Sequence, residues 1–144
     1  MKRAGFTMIE LIFVIVILGI LAAVAIPKLA ATRTDAEVSK AASDLATVVS
    51  DMGAYYTSHG KFANLSDMTN VTTFDDKAKG ATKGDEANFK VGKNNCVKFK
   101  FNSVADGNVT LSDVNESSAA CKGLQSAASD IIKNHVFGGT GVSY

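Results

Sequence analysis

Three sets of residues in this 144-residue chain have types and spacings that suit chemistry. The first is Glu10, a carboxylate four residues after Phe6, near the start of an apolar run that reaches Ile26. Gly5 stands just before the run, and Lys2 and Arg3 stand just before Gly5. The second is the pair Cys96 and Cys121. The third is a set of Asn-x-Ser/Thr triplets at Asn64, Asn70, Asn108 and Asn115. His59 and His135 stand alone, no phosphate-binding glycine loop is present, and no motif singles out a serine or threonine. The chain therefore reads as no enzyme and calls for no cofactor. The cysteines lack C-x-x-C spacing and a nearby histidine, which argues against a metal.

Glu10 must be positioned by the segment that carries it. Phe6 to Ile26 is 21 residues, about 31 Å as a helix, enough to cross the hydrocarbon of a bilayer. A carboxylate is costly there, less so near an interface. Twelve Leu, Ile, Val and Phe residues between Leu11 and Ile26 each return about 0.3–0.6 kcal/mol, so insertion wins. An intramembrane acid with no partner in its own segment reads as functional. Two plainer readings compete. A secretory signal would end at Ala23-Val24-Ala25, but Glu10 and the length of the apolar region oppose it. A simple anchor requires neither Gly5 nor Glu10. Lys2 and Arg3 favour a cytoplasmic N-terminus and an exported remainder.

Gly5-Phe6-Thr7-Met8-Ile9-Glu10-Leu11, followed by the apolar run, resembles the class III signal of type IV pilins and type II secretion pseudopilins. The resemblance is strong to about residue 35 and fades beyond Lys61. It implies cleavage by a prepilin peptidase between Gly5 and Phe6, with N-methylation of Phe6. It implies that Glu10 meets the Phe6 amine of a neighbouring subunit in a homopolymer, and that Gly19 and Pro27 loosen the helix. It also implies an inner-membrane assembly platform as partner. The subunit would be a single-pass inner-membrane protein first and an extracellular or periplasmic filament later. The cysteine pair leans toward a pilin. The short domain and Ser50 to Phe62 lean toward a pseudopilin of a secretion or DNA-uptake machine. A membrane-anchored binding module that never polymerises is the alternative from another class.

The expected fold is α+β. A long N-terminal helix, transmembrane in its first half, packs on a small antiparallel sheet, with a C-terminal helix. Residues 1–5 are the leader, 6–27 the membrane half, 28–60 the amphipathic half and 61–144 a small globular domain. Val38, Ala41, Leu45, Val48, Met52 and Tyr55 recur at helical spacing, and Gly60 suits a helix stop. The helix thus runs from about Phe6 to Ser58, with a kink or melted stretch between Gly19 and Pro27. Cys96 to Phe101 alternates as a strand with Val97, Phe99 and Phe101 inward. Asp106-Gly107 marks a turn, and Val109 to Val114 is its hairpin partner. Phe89 to Val91 adds an edge strand. Residues 61–93 read otherwise as loop with short elements. A second helix covers Ser118 to Asn134 with Ser117 or Ser118 as N-cap, and Gly138 to Gly141 is a tail.

An even cysteine count in an exported domain reads as a Cys96–Cys121 disulfide. Two buried free thiols are the alternative. The net charge is +1, which gives no case for nucleic acid. Lys77, Lys79, Lys83, Lys90, Lys93, Lys98 and Lys100 interleave with aromatics and suit DNA phosphates. Asp75, Asp76, Asp85 and Glu86 dilute them, so a solvated surface is preferred over DNA. Asp106, Asn108, Asp113, Asn115 and Glu116 offer oxygens to calcium, but without EF-hand spacing, and a polar hairpin is preferred. Asn108 and Asn115 also follow an acid by two positions, resembling the extended acceptor of bacterial oligosaccharyltransferases. Such short patterns arise often by chance. The processing prediction is direct: mass spectrometry of the mature protein finds N-methylated Phe6 at the terminus. A terminus at Ile26 means a cut after Ala25 and removes the filament reading.

Overall fold

The computed structural model describes residues 4–114 and 117–139. Lys2, Arg3, Asn115, Glu116, Thr140 and Gly141 lie outside the described residues. The elements in order are α1 (Met8–His59), α2 (Leu65–Met68), β1 (Glu86–Val91), β2 (Asn94–Ser103), β3 (Asn108–Asp113), α3 (Ala119–Ala127) and β4 (Asn134–Val136). The chain divides into two units, Met1–Thr34 and Asp35–Tyr144.

The first unit is helix from Met8 onward. Its leucines, isoleucines and valines point in all directions, and none is buried. An 18-residue stretch of α1 reaches a mean hydropathy of 3.1. So many β-branched residues are poor helix formers in water. In lipid the helix is favoured because it satisfies every backbone group within the segment. The sequence suggested a kink or a melted stretch between Gly19 and Pro27; α1 is helical through both, so no stretch is melted there. Pro27 removes a single backbone donor, and the turns on either side continue.

In the second unit α1 is amphipathic. Ala41, Leu45, Val48 and Met52 are its buried residues, spaced four, three and four apart, which makes one stripe. Gly60, at φ +71°, ends the helix, and its N–H bonds the carbonyl of Tyr56 at 2.7 Å. The stripe belongs to a core completed by a four-stranded antiparallel meander in the order β1-β2-β3-β4. Register puts Ala87 opposite Phe99, Phe89 opposite Val97, Phe99 opposite Leu111 and Phe101 opposite Val109. All seven side chains are buried. The outer side of β1 is not open. Residues 73–75 lie along it, with Lys90 N–H to the Thr73 carbonyl at 2.7 Å and Asp75 N–H to the Asn88 carbonyl at 3.0 Å.

Cys96 and Cys121 are joined, 4.9 Å apart at Cα, and tie β2 to α3. The bridge closes a 25-residue separation, worth about 3 kcal/mol in the chain-entropy model. For so small a core that is a large share of net stability.

The C-terminal reading needs correction. α3 starts where expected, with the Ser118 hydroxyl accepting the Cys121 N–H at 3.2 Å. It stops at Ala127 rather than Asn134. Asn134–Val136 instead forms β4 on the outer side of β3, with Val109 opposite His135. Pairing answers backbone groups that β3 would otherwise leave open. Phe137 then packs edge-on to Phe62 at 5.9 Å. Gly138, read as part of a tail, donates its N–H to the Asp106 carbonyl at 3.0 Å.

Two glycines with nearly equal φ test this packing. Gly92 (φ +62°), in the two-residue turn between β1 and β2, has open space where a Cβ would go. Gly107 (φ +61°), before β3, has Tyr56 ring carbons 2.6 Å from that position. The Tyr56 ring cannot swing clear, because its hydroxyl donates to the Ala105 carbonyl at 2.7 Å. Gly92→Ala should cost about 1 kcal/mol. Gly107→Ala adds overpacking and should cost about 3 kcal/mol in all. Denaturant unfolding of the detergent-solubilised chain, followed by circular dichroism, measures both.

Candidate functional site

The residues singled out at the N-terminus lie together where α1 begins. Gly5 and Phe6 precede the helix in extended chain, and Phe6 is 92% exposed. The first intrahelical bond runs from Leu11 N–H to the Thr7 carbonyl at 3.2 Å, so Thr7 occupies the N-cap. Its hydroxyl accepts the Glu10 N–H at 3.3 Å. Glu10 reaches back in turn. Its Oε2 accepts the Thr7 N–H at 2.7 Å and the Thr7 hydroxyl at 2.9 Å. This reciprocal pair is a capping box, two orphan donors answered by side chains three residues apart.

Thr7 is the residue that sequence reasoning missed. An acid with no partner in its own segment was expected at Glu10, and the structure gives it one. The signal was present as Thr7-x-x-Glu10 at the head of an apolar run. The box satisfies hydrogen bonds, and among the described residues no cation pairs with the carboxylate. Among the described residues Oε1 accepts no hydrogen bond. The second oxygen of Glu10 is thus open among the described residues.

The other sequence candidates are scattered. Gly19 and Pro27 lie in the uncovered helix, with nothing within 4 Å of a Cβ at Gly19. Cys96 and Cys121 are buried in their bridge. Asn108 is half-buried in β3, and its Oδ1 accepts from Asn102 Nδ2 at 3.1 Å. Asn115 falls outside the described residues. Lys98 and Lys100 share Glu86, at 3.2 and 3.9 Å. His59 Nδ1 contacts the Ser58 hydroxyl at 2.7 Å, and His135 Nε2 contacts the Ile131 carbonyl at 2.7 Å. Among the described residues no cluster of three His, Cys, Asp or Glu side chains suits a metal.

Comparison with known proteins bears on the same segment. The family model of the prokaryotic N-terminal methylation motif matches residues 1–26. The chain is 34% identical over 61 residues to the type II secretion system core protein G of Dickeya chrysanthemi, covering 42% of this chain and 40% of that protein. It is 37% identical over 54 residues to core protein G of Escherichia coli K12, covering 38% and 37%. It is 40% identical over 78 residues to the type IV major pilin protein PilE1 of Neisseria gonorrhoeae, covering 54% and 47%. The chain thus spans less than half the length of these curated relatives. No solved structure matches it.

The capping box makes its own prediction. Thr7→Val keeps the shape and removes the hydroxyl, so the Glu10 N–H loses its acceptor. A lost N-cap costs about 1 kcal/mol, equivalent to about fivefold faster hydrogen exchange at that amide. Thr7→Ser should restore the protection. Exchange measured by NMR in micelles checks both.

Proposed function

Because this chain belongs to the family of type IV pilins and type II secretion pseudopilins, we propose that it is the structural subunit of a type IV pilus-like filament. One observation carries the reading: Glu10, held by Thr7 with one oxygen open, heads an apolar helix that nothing in the chain buries. A prepilin peptidase cuts between Gly5 and Phe6, and the new amine of Phe6 is methylated and stays cationic. Before assembly the subunit crosses the inner membrane once, with Phe6 and Glu10 near one interface. An assembly platform then moves it into an extracellular or periplasmic polymer whose core is the N-terminal helices.

In that core the Phe6 amine of one subunit meets the open oxygen of Glu10 on the next. Each charge is costly in low dielectric alone, and together they neutralise. The pair fixes register, since only one stagger brings them together. Gly19 and Pro27 supply the weak points at which the helix adapts as neighbours close in. The surface-facing part of the polymer is the disulfide-tied sheet unit.

A major pseudopilin of a secretion or DNA-uptake machine is the second reading. It is supported by the core protein G relatives. It uses the same processing and the same Glu10 pair.

The test separates the charge from the cap. Glu10→Gln can still accept the Thr7 N–H but carries no charge, whereas Glu10→Ala loses both. Both should insert normally, because removing an acid makes the segment more apolar. Both should lower the yield of sheared filaments severalfold or more at unchanged membrane-fraction level, and Glu10→Lys should abolish filaments by setting two cations together. Wild-type filament yield from Glu10→Lys would sink the register role and favour a non-polymerising anchor.

A further inference from the structure

The sheet unit is charge-polarised, and the two signs match. From Asp35 to His59, α1 carries Asp35, Glu37, Asp44 and Asp51 against Lys40, a net −3 with the histidine neutral. From Asp75 to Lys100, seven lysines stand against four carboxylates, a net +3. Three of these carboxylates are tied to backbone amides of their own segment, which keeps their charge but fixes their positions. Asp75 accepts the Asn88 N–H and Nδ2, both at 2.7 Å. Asp76 accepts the Ala78 N–H at 2.9 Å, and Asp85 accepts the Gly80 and Thr82 N–H groups at 3.0 and 3.2 Å. Burial pushes the Asp75 carboxyl up, but the Asn88 hydrogen bonds, the Asp76 N–H and the Lys90 charge outweigh it and hold it below the usual range. Lys77, Lys79 and Lys83 form no ion pair among the described residues, and none reaches an α1 carboxylate of its own copy.

The acidic side has a shape to receive them. Lys40, Asp44, Thr47 and Asp51 form one wall of an open groove of about 470 Å³, and residues 70–73 form the other. Asp44 pairs with Lys40 at 2.8 Å, and Asp51 accepts the Thr69 hydroxyl at 2.7 Å. Both carboxylates are partly exposed. The Thr73 hydroxyl in the groove wall is buried without a hydrogen-bond partner.

We propose that this groove docks the Lys77–Lys83 loop of a second copy of this chain, forming the outer contact between neighbouring subunits. The contact is head-to-tail, with different patches on each partner, which is the kind of interface that builds open helical polymers. Equal and opposite charge on one chain is what such a repeating contact requires. A separate polyanion would instead meet a mature chain of net −1 and the nearby acidic helix. The inference rests on the filament reading above and adds a second, exposed determinant to it.

The test uses the full chain in its own assembly system. One variant reverses the loop (Lys77→Glu, Lys79→Glu, Lys83→Glu). The other reverses the groove carboxylate (Asp44→Lys) and leaves Asp51 to its buried partner. Each alone places like charges together and should cut sheared-filament yield about tenfold. Membrane-fraction level and the Cys96–Cys121 bridge should be unchanged. Co-expression should restore yield to within about twofold of wild type, because each variant's loop then meets the other's helix. If a variant fails to accumulate, Lys83→Glu and Asp44→Asn are scored in the same way. Wild-type yield from each variant alone, or a mixture as defective as its parts, overturns the proposal. So does normal assembly of the loop variant with loss of filament retention on heparin, which would assign the lysines to a polyanion. Absence of filaments from the wild-type chain overturns the filament reading itself.

Discussion

From Leu11 to Ile26 α1 is apolar on every face, and none of it is buried. In a medium without water, each polar group in that stretch must find its partner within the helix or on another molecule. The backbone meets this demand by being helical. Thr7 meets it at the helix end, where the first N–H groups have no carbonyl to bond. Glu10 meets it only in part, since a hydroxyl and an amide satisfy hydrogen bonds and leave the charge.

The sheet unit answers a different constraint, its size. A single stripe on α1, the inward positions of β1, β2 and β3, and buried residues of α2, α3 and the 62–74 segment make its core. Aromatic side chains fill much of it. Phe74 lies edge-on to Phe99 at 5.1 Å and Phe62 to Phe101 at 5.7 Å. The disulfide and the tie from Tyr56 to the turn before β3 supplement a core that is small for the chain it must order. Positions that look permissive in sequence, such as Gly107, are therefore fixed by what leans on them.

Local periodicity and nonlocal pairing divide what the sequence makes legible. The buried stripe of α1, the inward residues of β2 and β3, and the Ser118 cap follow from neighbours within a few positions. β4 does not. Cys121, Leu124, Ala128, Ile131 and Ile132 fit a helical period, and only the open side of β3, more than twenty residues earlier, explains why the chain turns into a strand. The tie from Asp75 to Asn88 is equally nonlocal, since 13 residues separate them. In sequence Asp75 looks like a charge that cancels lysines. In the fold it serves backbone amides. Thr7 is a different case. Its capping pattern was readable, but the same few residues also match the N-terminal methylation motif, and the stronger pattern hid the weaker.

The Cys96–Cys121 bridge closes a covalent ring, and β3 lies wholly inside it. A protease that cuts once between the two cysteines therefore releases nothing, because both new ends stay tethered through sulfur. β1 and β4 lie outside the ring and enjoy no such protection. A single cut in the Lys77–Lys83 loop separates α1 from the whole sheet as far as covalent bonds go, leaving packing alone to hold them. Tolerance of a single cut is thus unevenly distributed, greatest around β3 and least at the basic loop.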